Sequence, residues 1–86
     1  MPTLSRFLGV SITMNWDDHQ PPHFHARYSE YEAIIRVDTL EVEAGQLPQR
    51  ILGKVLAWAA AHQEELWLNW EYVQSRRPVC PIASLR

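Results

Sequence analysis

Residues 23–28 (HFHARY) and 31–37 (YEAIIRV) constrain this chain more than any other stretch, because their side chains sort cleanly into two faces. With Ser29-Glu30 as a two-residue loop, Tyr28 faces Tyr31, Arg27 faces Glu32, Ala26 faces Ala33, His25 faces Ile34, Phe24 faces Ile35 and His23 faces Arg36. One face then collects Phe24, Ala26, Tyr28, Tyr31, Ala33 and Ile35. The other collects His23, His25, Arg27, Glu32 and Arg36, with Ile34 its only apolar member. Successive strand residues point to opposite sides, so a slip of one residue would mix these sets and bury charge. The pattern predicts an antiparallel hairpin with one face in the core. Arg27 opposite Glu32 adds a cross-strand ion pair, worth a few tenths of a kcal/mol to ~1.

The flanking segments extend the sheet. Residues 7–14 (FLGVSITM) alternate, with Leu8, Val10, Ile12 and Met14 on the inward side, and predict one strand. Asn15 to Pro22 reads as a loop stiffened by Pro21 and Pro22. Asp38-Thr39 permits a second reversal and 40–43 (LEVE) a short strand, ended by Ala44-Gly45-Gln46. Pro48 suits the first turn of a helix. Ile51, Leu52, Val55, Leu56, Ala59, His62, Leu66, Trp70 and Val73 recur at helical spacing and predict one long helix to about Ser75, with a break expected near His62-Gln63. At ~1.5 Å per residue it would run roughly 40 Å, more than a small sheet covers. One end is therefore expected to pack on a protein partner or a second copy, as in a homodimer through this helix. The expectation is an α+β fold: an antiparallel meander of about four strands, one face packed against a long C-terminal helix, with residues 1–77 as the domain and 78–86 as an irregular proline-containing tail.

Composition narrows the function classes. Eighty-six residues make one domain, and 47% hydrophobic residues with four tryptophans favour a folded one. A net charge of −2 provides no long-range attraction for nucleic acid, although a local basic patch could still contact RNA. One cysteine, Cys80, permits no internal disulfide. There is no signal-like apolar segment and no apolar run of membrane-spanning length, so the expectation is a cytoplasmic protein with no membrane association. Trp58, Trp67 and Trp70 read as core or interface anchors, and Trp67, off the apolar stripe, as an interface residue.

Three of the four histidines fall within 17–26 (DDHQPPHFHA). His23 and His25, two apart on a strand, point the same way, onto the polar face. His19 lies across a stiff loop and could fold back toward them. Asp18, His19, His23 and His25 form a candidate divalent-metal ligand set, since imidazoles with a carboxylate match zinc and iron sites that keep open positions. The same histidines, His19, His23 and His25, could instead exchange protons without a metal, with Arg27 or Arg36 holding a phosphate and Arg6, just before the first strand, adding a cation if that strand is adjacent. A purely structural arrangement is the third reading: imidazoles bonded to backbone carbonyls, with Asp17 or Asp18 orienting His19 or His25.

The chain also resembles a family of small bacterial proteins, the domain-of-unknown-function family numbered four thousand one hundred and sixty. The resemblance rests on MPTLSRFLGVSI, on D-H-x-P-P-H-F-H-A at Asp18 to Ala26, on Y-x-E-Y-E-A at Tyr28 to Ala33, on L-P-x-R at Leu47 to Arg50, and on H-Q-E-E-L-W-x-N-W at His62 to Trp70. It implies no established activity. It implies a gene neighbourhood like a toxin–antitoxin pair, hence a protein partner encoded next door and, by analogy, a ribonuclease-like toxin. Its signature points to Asp18, His19, His23 and His25.

Overall fold

The computed structural model describes residues 2–85; Met1 and Arg86, the outer ends of the expected domain and tail, lie outside the described residues. Five strands, β1 (Thr3–Phe7), β2 (Val10–Thr13), β3 (His23–Tyr28), β4 (Tyr31–Arg36) and β5 (Val42–Gln46), are followed by two helices, α1 (Gln49–Ala61) and α2 (Gln63–Gln74). The strands pair antiparallel in sequence order, a simple meander. The β3–β4 register is the one required by the face sorting, from His23 opposite Arg36 to Tyr28 opposite Tyr31. Phe24, Ala26, Ala33 and Ile35 are fully buried on the inner face.

The sheet has one strand more than the expected four, because residues 7–14 are not one strand. Leu8 (φ 52°) and Gly9 (φ 79°) both take left-handed conformations and form a two-residue hairpin turn between Phe7 and Val10. Two adjacent left-handed residues match the twist of paired strands, the reason such turns close hairpins. The turn reverses the parity: Phe7 is buried and Leu8, expected inside, is exposed. Alternation alone hides such a turn when its first residue is a leucine, an uncommon left-handed residue.

The fifth strand lies further along than residues 40–43. It includes Gly45, at φ 75°, where a Cβ would overlap the Glu32 carbonyl oxygen. Glycine therefore does not end this strand; it lets β5 approach β4. A register shift between Ile34 and Ile35 accommodates one extra residue there.

The helical segment is two helices rather than one, and the break falls at the expected place. His62 has φ −122° and ψ 24°, outside helical values. The Gln63 side chain donates to the Val37 and Asp38 carbonyl oxygens at 2.6 and 3.1 Å, anchoring α2 at the end of β4. Glu64 and Glu65 in its first turn complement the helix dipole. The bend lets both helices bury a face: Ile51, Val55, Trp58 and Ala59 from α1, and Leu66, Asn69, Trp70 and Val73 from α2. A straight rod could not do this against so small a sheet.

Buried Asn69 holds the chain beyond α2. Its Oδ1 accepts from the Cys80 N–H at 2.7 Å, and its Nδ2 donates to the Cys80 carbonyl at 3.0 Å. Ile82, also buried, donates its N–H to the Leu4 carbonyl at 2.7 Å, alongside β1. Among the described residues, no helix is long and apolar enough to cross a membrane.

Candidate metal centre

Three of the residues singled out by sequence converge at one end of the sheet. His23 opens β3 and His25 follows it on the same face, while Asp18 arrives from the loop between β2 and β3. A reciprocal turn shapes that loop: the Asn15 N–H donates to Asp18 Oδ2 at 2.9 Å, and the Asp18 N–H donates to the Asn15 carbonyl at 3.1 Å. The Gln74 side chain, at the end of α2, donates to the Asp18 carbonyl at 3.0 Å. The Gln20–Pro21 peptide bond in this loop is cis.

The carboxylate bridges the rings. Asp18 Oδ1 lies 3.5 Å from His23 Nε2, and Oδ2 lies 3.1 Å from His25 Nε2. One potential ligand atom from each residue falls within 4.8 Å of the others. Atoms bound to a single zinc ion at about 2.0–2.1 Å in a tetrahedron sit roughly 3.4 Å apart, and Asp18 Oδ1, 3.5 Å from His23 Nε2 and 3.3 Å from His25 Nε2, has that spacing to both rings. All three side chains are only 12–13% exposed.

The second nitrogen of each ring sets its tautomer. His23 Nδ1 lies 2.7 Å from the Pro21 carbonyl oxygen, and His25 Nδ1 lies 3.2 Å from Glu32 Oε2. Both partners only accept, so both Nδ1 atoms must carry the proton. In neutral rings the two Nε2 lone pairs are then aimed at an anionic carboxylate. Acceptor facing acceptor is unfavourable; a proton or a metal ion between them relieves it, and at His25 the Asn15 Nδ2 donor, 3.5 Å from Nε2, offsets it in part. Nδ1–H to a carbonyl or carboxylate is the outer-shell bond that orients metal-binding histidines.

Trp70, on α2, packs against His23 with ring centroids 5.3 Å apart, and His23 meets His25 edge-on at 5.2 Å. α2 thus walls the site without contributing a ligand. Sequence reasoning missed Trp70, Gln74 and Asn15, whose roles depend on how α2 and the loop fold back. Glu32 was legible in principle: it neighbours His25 diagonally in the hairpin register, within reach of a long side chain.

The remaining candidates lie elsewhere. His19 is exposed and outside the converging group, beside Trp16 and Gln74. Asp17 is exposed and pairs with Arg76 at 3.3 Å. Arg36 makes a two-point contact with Asp38, at 2.9 and 2.6 Å. That hydrogen bond, first among the causes, raises the Arg36 pKa and holds the Asp38 carboxyl below its ordinary range. Arg27 is exposed and lies 3.4 Å from Glu32. His62 packs on Trp58 at 5.5 Å and bonds Glu65 at 2.6 Å, away from the cluster.

No curated protein and no solved structure gives a significant match to this chain. A family description does match, over residues 9–71, a span that contains the converging side chains, the hairpin and most of both helices. The chain belongs to the family described as Domain of unknown function (DUF4160).

Proposed function

We propose that this protein binds a divalent transition-metal ion, of the zinc class, through Asp18, His23 and His25. One observation carries the reading: two imidazoles, each with its Nδ1–H committed to an acceptor, direct their Nε2 atoms at the same carboxylate within coordination distance. Two nitrogens and one oxygen leave a coordination position open, the arrangement of catalytic rather than structural zinc. In such a position a bound ion polarises a substrate oxygen or activates water. The protein's own part is to orient the ligands: Pro21 and Glu32 hold the rings, Asn15 and Gln74 hold the loop, and Trp70 limits solvent.

The test is metal analysis after loading with zinc and dialysis. Wild-type protein should retain about one ion per chain, and His25→Ala and Asp18→Ala should retain almost none while keeping the wild-type circular dichroism. Glu32→Gln should weaken binding roughly 10–100-fold, through loss of the carboxylate charge behind His25 Nδ1. Folded wild-type protein that leaves dialysis with no bound metal would sink the assignment.

We also propose, as a second reading, that the protein acts through contact with a partner encoded beside it, in a toxin–antitoxin-like pair. Its support is the outer surface of α2, where Trp67 and Leu68 are 39% and 44% exposed beside Glu64, Glu65 and Glu71. Exposed aromatic and aliphatic side chains with an acidic rim suit a partner with a basic, partly apolar surface. Co-expression with the neighbouring gene product should yield a complex that Trp67→Ala weakens at least about tenfold. A wild-type chain that forms no complex at micromolar concentration contradicts this reading.

A further inference from the structure

On the outer face of the sheet, pairing places four residues in a row across four strands. Arg6 of β1 is opposite Ser11 of β2, Ser11 is opposite Arg27 of β3, and Arg27 is opposite Glu32 of β4. Neighbouring strands are about 4.8 Å apart, so the two arginines rise roughly 10 Å from each other with a small serine between them. Two long side chains flanking a short one make a notch. It is a groove of about 260 Å³, lined also by Thr3, Thr13 and Glu32.

The groove is polar and unequally paired. Arg27 shares Glu32 with His25, whereas Arg6 has no ion-pair partner among the described residues. Glu32 already offsets Arg27, so Arg6 is the uncompensated charge of the notch, and an anion seated there would meet both guanidinium forks. Guanidinium forks and hydroxyls match the oxygens of a phosphate group. The groove is smaller than the roughly 300–1,000 Å³ usual for a drug-sized ligand, and no aromatic ring lines it on which a nucleobase could stack. Thr13 is also the cross-strand neighbour of His25, so the notch lies on the face that carries the histidines.

We propose that this groove binds the phosphate group of a small molecule, with Arg6 and Arg27 as the two forks and Ser11 as a hydroxyl donor. The site adjoins the cation centre, with Glu32 lining the groove and bonded to His25, and it binds with a chelator present. The test is titration of wild-type protein with inorganic phosphate in low salt plus chelator, followed by amide and arginine side-chain NMR shifts. Saturable shifts are expected at Ser11 and Arg27, at roughly millimolar affinity. Arg6→Ala should weaken binding about tenfold or more, and Arg6→Ala with Arg27→Ala should abolish it. Arg50→Ala, an exposed arginine outside the groove, should leave binding unchanged. Both groove arginines are exposed, so circular dichroism of the double variant should match wild type. The proposal is overturned by an absence of saturable shifts, or by phosphate binding that survives the double variant. It is also overturned if a short single-stranded RNA binds the same residues more tightly than phosphate, which would make the groove a nucleic-acid surface.

Discussion

Trp58→Ala should destabilise the domain by about 3–5 kcal/mol, the range for emptying a buried tryptophan site. Trp58 is 1% exposed, and its ring meets Phe7 from β1 at 5.3 Å and Phe24 from β3 at 6.2 Å. It therefore joins α1 to two non-adjacent strands. Its indole N–H donates to the Ala83 carbonyl at 2.8 Å, which ties down the chain beyond α2. Alanine removes the ring contacts and that bond together. In a domain of this size, where each kcal/mol moves the melting temperature about 4–8 °C, the drop should be roughly 15–30 °C. Small domains hold only about 5–15 kcal/mol in total, so much of the variant could be unfolded at physiological temperature. Trp58→Phe keeps one aromatic ring in the site and removes the donor with the rest of the indole; its cost should be smaller, about 1–2 kcal/mol. Urea denaturation followed by circular dichroism measures both. A Trp58→Ala variant within about 1 kcal/mol of wild type would mean that this ring is not the centre of the core.

The second large effect is on thermal stability in the presence of metal. A ligand that binds only the folded chain stabilises it by about 2.7 kcal/mol at a hundredfold excess over its dissociation constant. By the same conversion, zinc should raise the wild-type melting temperature by roughly 10–20 °C. The His23→Ala, His25→Ala double variant should show no rise, and a chelator should reverse the wild-type gain. The gain should weaken in acid, because an imidazole must release its proton before its nitrogen can bind a metal. Removing both rings also removes the lone pairs facing Asp18, so without metal the double variant should melt no more than a few degrees from wild type. A zinc-induced rise of equal size in the double variant would place the binding elsewhere.

Most of the sheet was legible, for a reason visible in particular residues. Between His23 and Arg36 every inward position is apolar or aromatic by a two-residue period, Ile34 is the one apolar residue facing outward, and only one register keeps charge out of the core. The β1–β2 hairpin was not legible, since its turn begins with Leu8, and the local pattern Leu8, Val10, Ile12, Met14 imitates one continuous strand. α2 was legible as a helix. Its direction was not, because that depends on Gln63 reaching the end of β4 and on Asn69 binding Cys80, contacts between residues far apart in the chain.

The candidate site divides in the same way. Residue type and strand period by themselves place His23 and His25 side by side on the polar face, with Phe24 between them in the core; that follows from the alternation of any strand. They could not say whether Asp17, Asp18 or His19 would join them, because a loop's path is set by what it touches rather than by a repeat. The folded chain brings Asp18 onto the rings through the Asn15–Asp18 turn and the Gln74 bond, leaves His19 at the surface, and sets Glu32 behind His25. Local periodicity thus determined where side chains point, and tertiary packing decided which of them meet, since meeting requires closing loops whose ends only long-range contacts hold together.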